Sequence, residues 1–258
     1  MTRRRFYAPP TAFTSDQIIL LATEESRHLR DVLRLGPGDE IYVFDGEGSE
    51  FQCVIAETRR DSTQLRVVAE ASPAKPESPL DLTLAIALLK GEKFDLVVQK
   101  ATELGVMSIQ PVVTERADVR VRENQDASKR VTRWRRIALE AAKQSGRARV
   151  PNILSPIDLP TLVKAFAQNE KTQPMGPLCL MFSERDGEPL SQTLAGQSAP
   201  PAKVVALVGS EGGWTDNEIE QACAAKWGIV TLGGRTMRAE TAAIAVMVLL
   251  QNLLGDLD

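Results

Sequence analysis

The stretch 203-KVVALVGSEGGWTDNEIEQA-222 decides how the second half of the chain reads. An apolar run ends at Val208, and three glycines follow within five residues. Thr215-Asp-Asn-Glu218 then has the form of a capping box, in which hydroxyl and carboxylate satisfy each other's backbone N–H, so a helix opens there and runs to about Trp227. Strand, glycine turn and helix make the half-unit of an α/β sheet. The arrangement repeats at once in 231-TLGGRTMRAETAAIA-245: Gly228–Leu232 is a short strand, Gly233-Gly234 turns the chain, and Ala239 to Leu254 is a long helix.

Upstream the same rhythm holds. Asp81–Leu88, Ser108–Val113 and Leu178–Phe182 are strands. Phe94, Val97, Val98, Ala101 and Leu104 mark one face of a helix that Gly105 ends, and Asp126 to Ser145 is a helix with Val131, Trp134, Ala138 and Ala141 inward. Such alternation predicts a mainly parallel sheet covered on both faces. The last helix is apolar all round through Ala242–Leu250, so both its faces are expected to be buried, the second at a subunit interface or inside the chain.

The glycine turns bound the ligand chemistry. A phosphate-binding P-loop needs Gly-Lys-Ser/Thr after its turn, but Trp214 follows the last glycine and no lysine stands between Lys203 and Lys226. A dinucleotide fingerprint needs G-x-G-x-x-G in the first βαβ unit, and GSEGG stands late in the chain. Two strand-end loops at the carboxyl edge of one sheet offer bare backbone, which suits an adenine ring and a cationic ligand better than a triphosphate. A purely structural turn is the remaining alternative.

The first seventy residues read differently. Glu40–Asp45 and Glu50–Glu57 flank Gly46-Glu-Gly-Ser49 as a hairpin, and Gln64–Val68 adds a strand. One helix runs from Glu24 to about Leu35, with Leu29, Val32 and Leu33 at helical spacing and Gly36-Pro37-Gly38 as its stop. A small β-barrel with one helix is the expectation for 1–71. In 71-ASPAKPESPL-80 three prolines fall within seven residues, which sets 72–79 as the linker to a domain over 80–258.

At 258 residues, 43% hydrophobic and 25% charged, the chain has the composition of a folded protein with one large domain or two smaller ones. The longest apolar run is too short to span a bilayer, and the N-terminus lacks a signal-peptide core, so a cytoplasmic protein is expected. Three scattered cysteines and one histidine argue against a disulfide framework and a zinc site; no metal is expected. His28 reads as a packed helix residue. Net charge is −3, yet residues 115–149 carry eleven Lys/Arg against five Asp/Glu while the rest is acidic. That is either a footprint for a polyanion or a solvated helix face.

The two glycine-turn segments, 207-LVGSEGGWTDNEIEQA-222 and 232-LGGRTMRAETAAIAVMVLLQ-251, resemble the S-adenosylmethionine site of the SPOUT (trefoil-knot) methyltransferases, and within them the RsmE family. HLRDVLRLGPGDEIYVFDGEG (28–48) resembles that family's PUA-like domain, KGEKFDLVVQKATELGV (90–106) and ERADVR (115–120) the start of its methyltransferase domain, and RWRRIALEAAKQSGRARVP (133–151) its basic helix. The resemblance covers nearly the whole chain. It departs at Ser210 and Gly234, where the family usually has proline, and at Thr236-Met237, so both loops are expected to be more mobile without ligand.

The resemblance implies a PUA-like RNA-binding domain over 1–71 and a SPOUT domain with a C-terminal trefoil knot, which pattern reasoning would not propose. It implies a homodimer through the knotted region, S-adenosyl-L-methionine as cofactor, and methylation of N3 of a uridine in small-subunit (16S) ribosomal RNA, either naked or in the assembled subunit. Carried over as cofactor contacts are Phe182, Ser183, Glu184, Val208, Gly209, Glu211, Gly212, Gly213, Leu232, Gly233, Met237, Arg238, Thr241 and Ala242. Losing the N3 proton builds negative charge on the base, so a guanidinium nearby helps; Arg238 is the first catalytic candidate, Arg235 the second, and Glu211 a candidate proton acceptor. For RNA phosphates the candidates are Arg3, Arg4, Arg5, Arg116, Arg120, Arg122, Arg133, Arg135, Arg136, Arg147 and Arg149. The rival readings are a non-catalytic RNA-binding ribosome-assembly factor and a nucleotide-dependent hydrolase.

Overall fold

The computed structural model describes residues 3–14, 17–117, 119, 124–167 and 176–257. The chain divides into two compact units, residues 1–77 with 139–150, and residues 78–138 with 151–258.

In the first unit β1 (Arg5–Tyr7), β2 (Ile18–Leu21), β3 (Glu40–Phe44), β4 (Glu50–Thr58) and β5 (Thr63–Ala71) form a mixed sheet in the order β1-β3-β4-β5-β2. β1 and β2 are its edges, so the barrel is a half-barrel. The hairpin turn between β3 and β4 is built by Asp45, whose Oδ1 accepts from the backbone N–H of Glu47, Gly48 and Ser49 at 2.7–3.0 Å. Gly46 and Gly48 supply the positive φ that this turn needs, +83° and +118°. Phe6, Ile19, Leu29, Ile41, Val43, Cys53, Ile55 and Leu65 fill the core.

The expected 24–35 helix is shorter and irregular. α1 (Thr23–Arg27) passes into a π turn over His28–Val32, and Arg34 stands at φ +55°. A π turn bonds i to i+5, which shifts later residues off the face a 3.6-residue period assigns them. Leu29 is buried, but Val32 and Leu33 are 64% and 40% exposed, contrary to the expectation. His28 meets Phe6 edge-on at 6.1 Å and is otherwise exposed.

Residues 139–150 group with this unit through ion pairs. Glu50, wholly buried, holds Arg3 and Arg5 at 3.0 and 3.1 Å; Arg5 also donates to the carbonyl of Arg147, and Arg147 pairs with Glu77 at 2.7 Å.

The second unit is an eight-stranded parallel sheet. Its strands are β6 (Asp81–Ala87), β7 (Ser108–Val113), β8 (Asn152–Ile153), β9 (Ile157–Asp158), β10 (Leu178–Phe182), β11 (Glu188–Pro189), β12 (Lys203–Val208) and β13 (Gly228–Thr231), ordered β11-β13-β10-β12-β6-β7-β8, with β9 also on β7. Every pair within it is parallel. Its central strands are nearly continuous apolar runs, as a sheet covered on both faces requires. The helices are α2 (Lys93–Glu103), α3 (Asn124–Ser145), α4 (Leu159–Ala165), α5 (Leu190–Ala195), α6 (Asp216–Ala224) and α7 (Ala239–Leu254), α3 passing into the first unit at Leu139. The two-residue strands and α4 and α5 escaped the sequence reading, being too short for a period to register.

The capping box at α6 is formed: Glu218 N–H donates to the Thr215 hydroxyl at 3.2 Å, and Thr215 N–H to the Glu218 carboxylate at 2.9 Å. Phe94 on α2 stacks on Trp134 of α3, ring centroids 4.1 Å apart. α7 buries Ala239, Ala243, Val246, Met247, Leu250 and Gln251, whereas Val248, Leu249 and Leu253 are 39%, 38% and 51% exposed, so within one chain only one face is covered. Gln251 pins its far end, accepting from the Ser78 hydroxyl at 2.7 Å and donating to the Leu104 carbonyl at 2.8 Å.

Candidate functional site

Three strands that lie side by side, β13, β10 and β12, release their loops at one carboxyl edge of the sheet, where open α/β sheets bind ligands. β10 lies between the two strands that carry the glycine turns, so its own loop closes the gap. The cavity formed there is lined by Phe182, Ser183 and Glu184 after β10, and by Val208, Gly209, Ser210, Gly213 and Trp214 at the β12 turn. Thr231, Leu232, Gly233, Arg235, Thr236 and Met237 after β13 complete it with Ala239 and Ala242 of α7. Among the described lining residues Arg235 is the one cation and Glu184 the one carboxylate. There is no lysine.

The glycines of the first turn do different work. Trp214 is 1% exposed, its indole N–H donates to the Phe182 carbonyl at 2.8 Å, and a Cβ on Gly209 would stand 3.0 Å from its ring. Gly213 has φ +64°, and a Cβ there would meet Glu184 Oε1 at 2.5 Å. Gly212 does not line the cavity; a Cβ on it would lie 2.8 Å from Arg116 Cβ and 2.9 Å from its carbonyl oxygen. Its bareness admits protein backbone, whereas the sequence reading set it against a ligand. Gly233 and Gly234 have nothing within 4 Å of a Cβ, and Gly233 is held at φ +106°.

Of the residues named from the sequence, Phe182, Ser183, Glu184, Val208, Gly209, Gly213, Leu232, Gly233, Arg235, Met237 and Ala242 meet around the cavity. Glu211, Gly212, Arg238 and Thr241 do not line it. The reading missed Ser210, Trp214, Thr231, Thr236 and Ala239; the tryptophan directly after the glycines was the one available signal. Arg238 is the N-cap of α7. Glu211 accepts from Lys93 Nζ, and Glu240 Oε2 is 3.8 Å from the same ammonium. The hydrogen bond that Lys93 donates to Glu211 raises the Lys93 pKa above its ordinary value, against desolvation and the nearby charge of Arg238. A second, small depression on the other side of the turn is lined by Lys90, Arg116, Ser210, Glu211 and Gly212 with Leu88 and Leu89.

The arginines named for RNA are placed unevenly. Arg3, Arg5 and Arg147 are engaged with carboxylates, as described above. Arg149 donates its backbone N–H to Glu77 at 3.1 Å. Arg116 donates to the Gly212 carbonyl at 3.2 Å, Arg135 to the Ile153 carbonyl at 3.2 Å, and Arg133 pairs with Asp95. Arg4 and Arg136 are exposed. Arg120 and Arg122 lie outside the described residues. Among the described residues no helix is long and apolar enough to cross a membrane, and no group of His, Cys, Asp and Glu could hold a metal ion.

Known proteins resemble this chain along most of its length. Residues 76–251 match the family described as RNA methyltransferase domain, and residues 21–68 the one described as RNA methyltransferase PUA domain. The Ribosomal RNA small subunit methyltransferase E of Synechocystis sp. is 36% identical, over 92% of this chain and 73% of its own length. That of Bacillus subtilis is 30% identical, over 86% of this chain and 84% of its own. Among solved structures, the Neisseria gonorrhoeae ribosomal RNA small subunit methyltransferase E bound to S-adenosyl methionine superposes with a TM-score of 0.84 at 33% identity, over 100% of both chains. A putative methyltransferase from Legionella pneumophila with bound SAM gives 0.84 at 30% identity, over 99% of this chain and 100% of that one.

Proposed function

Because this chain belongs to the ribosomal RNA small subunit methyltransferase E family, we propose that the β10–β12–β13 cavity binds S-adenosylmethionine and that the enzyme methylates N3 of a uridine in small-subunit ribosomal RNA. The observation that carries this is the cavity itself: three carboxyl-edge loops, bare backbone at Gly209, Gly213 and Gly233, an apolar floor, and no lysine for a triphosphate. Its residues fit the cofactor. Val208, Leu232 and Met237 offer apolar surface to an adenosyl group, and Glu184 offers a carboxylate to a cation.

Bound S-adenosylmethionine supplies a methyl group already activated by its sulfonium. What remains for the protein is alignment and charge. Arg235, in the cavity wall, and Arg238, at the head of α7, place positive charge where a uridine losing its N3 proton becomes anionic. Glu211, 44% exposed beside Lys93, is the candidate acceptor of that proton. The naming of the relatives as methyltransferases, with two of the similar structures holding the cofactor, favours catalysis over a non-catalytic assembly factor.

The same reading assigns RNA contacts to the domain of residues 1–71 and to exposed arginines such as Arg136, residues 72–79 serving as linker to the catalytic domain. It includes the trefoil knot of this class, work in the cytoplasm, and a homodimer that covers Val248, Leu249 and Leu253 of α7. Calorimetry with S-adenosylmethionine, S-adenosylhomocysteine and ATP, together with mass spectrometry of methylated ribosomal RNA, tests it. Binding of the first two and a methyl mark on uridine are expected; binding of ATP alone overturns the reading.

A further inference from the structure

Lys93 is the first residue of α2, where a cation opposes the positive end of the helix dipole. Glu92, the N-cap, makes no side-chain cap either, so helix stability does not account for this residue. The ammonium reaches instead to the two segments that wall the cavity. It donates to Glu211, in the turn after β12, and stands 3.8 Å from Glu240, in the first turn of α7. The Glu240 side chain is 13% exposed, and its Oε2 is buried without a hydrogen-bond partner. A local arrangement unfavourable to its own helix yet joined to carboxylates far along the chain marks a functional constraint.

We propose that Lys93 is a positioning residue for the cofactor: by facing Glu211 and Glu240 together it fixes the β12 turn against the head of α7 and so holds the two walls of the cavity at binding distance. Neither carboxylate lines the cavity, but each neighbours residues that do, Ser210 and Gly213 on one side and Ala239 and Ala242 on the other. Without the ammonium the turn and the helix head are free to separate, and ordering them again on binding costs affinity. An exposed ion pair alone would matter little; here one carboxylate is mostly buried and loses the cation facing it. The inference rests on the cavity being the S-adenosylmethionine site.

Lys93→Met keeps the apolar stem and removes the charge, and Lys93→Arg keeps the charge. Calorimetric titration with S-adenosylmethionine is expected to show Lys93→Met weakened about fivefold, the upper end for a single partly exposed pair. Lys93→Arg should stay near wild type in affinity and in ligand-free unfolding midpoint, whereas Lys93→Met, which leaves the mostly buried Glu240 without its cation, should also unfold at a lower temperature. Glu240→Gln should weaken binding too, and adding it to Lys93→Met should cost less than the two separate losses combined, since both remove one interaction. Wild-type binding with an unaffected Lys93→Met overturns the inference alone. So does a loss of affinity that follows a lowered midpoint and is not rescued by arginine. A wild-type chain that does not bind S-adenosylmethionine overturns the cofactor reading, and this inference with it.

Discussion

Replacing Gly213 with alanine separates two reasons for a glycine at the cavity wall. At φ +64° an L-residue is left-handed, which costs about 1–2 kcal/mol relative to glycine. The added Cβ would also stand 2.5 Å from Glu184 Oε1, but that carboxylate ends an exposed, flexible side chain that can swing aside. Backbone strain should therefore dominate. For a folded unit of this size about 1 kcal/mol moves the midpoint by roughly 2–4 °C, so Gly213→Ala should unfold about 2–8 °C below wild type. Removing the clash as well, in Gly213→Ala with Glu184→Ala, should restore little of that. Thermal unfolding followed by circular dichroism without ligand is the assay. A midpoint within 1 °C of wild type, or full recovery in the double variant, would refute the argument, the first by denying the strain and the second by placing the whole cost in the clash.

Gly212→Val should also lower the ligand-free midpoint, because its Cβ meets Arg116 backbone that cannot step aside; an unchanged midpoint with lost cofactor binding would return Gly212 to direct ligand contact. Arg238→Ala should bind S-adenosylmethionine nearly normally and methylate on the order of a hundredfold more slowly, whereas Arg235→Ala, in the cavity wall, should lose affinity. Equal effects on binding would show the two arginines are not distinguished as described. Val248→Glu places a charge in the exposed apolar face of α7 and should give a particle of about 28.2 kDa by light scattering where the wild type gives twice that; a monomeric wild type ends the dimer proposal. Burial pushes the thiols of Cys53 and Cys179 up to about 12, while Cys223 is exposed. A thiol reagent at pH 8 should therefore label Cys223 alone. The unfolded chain releases those two protons near the ordinary value of 9.0, so their contribution to stability falls as pH rises from there towards about 12. Labelling of all three native cysteines at pH 8 would contradict it.

Features written in short-range chemistry could be read from the sequence. Asp45 with Gly46 and Gly48 makes its hairpin turn within five residues, and Thr215 and Glu218 close their capping box within four. The apolar strands of the parallel sheet, and the two glycine turns that end β12 and β13, stand out because the chain changes character over a few positions. Together they determined an α/β sheet with ligand loops at its carboxyl edge, and the chemistry those loops exclude.

Tertiary structure alone decided which way the pieces face. The π turn after α1 takes Val32 and Leu33 off the face their spacing assigns, because the extra residue per turn leaves no mark on composition. Gly212 and Gly213 are neighbours in one turn, yet one faces Arg116 and the other Glu184, a choice made by segments far away in the chain. β10 lies between β12 and β13 although it precedes both, so the third wall of the cavity depends on strand order. Lys93 finds Glu211 across 118 positions of sequence. Long-range pairings of this kind carry no local signal, since the free energy that selects them exists only once the sheet has brought the partners together.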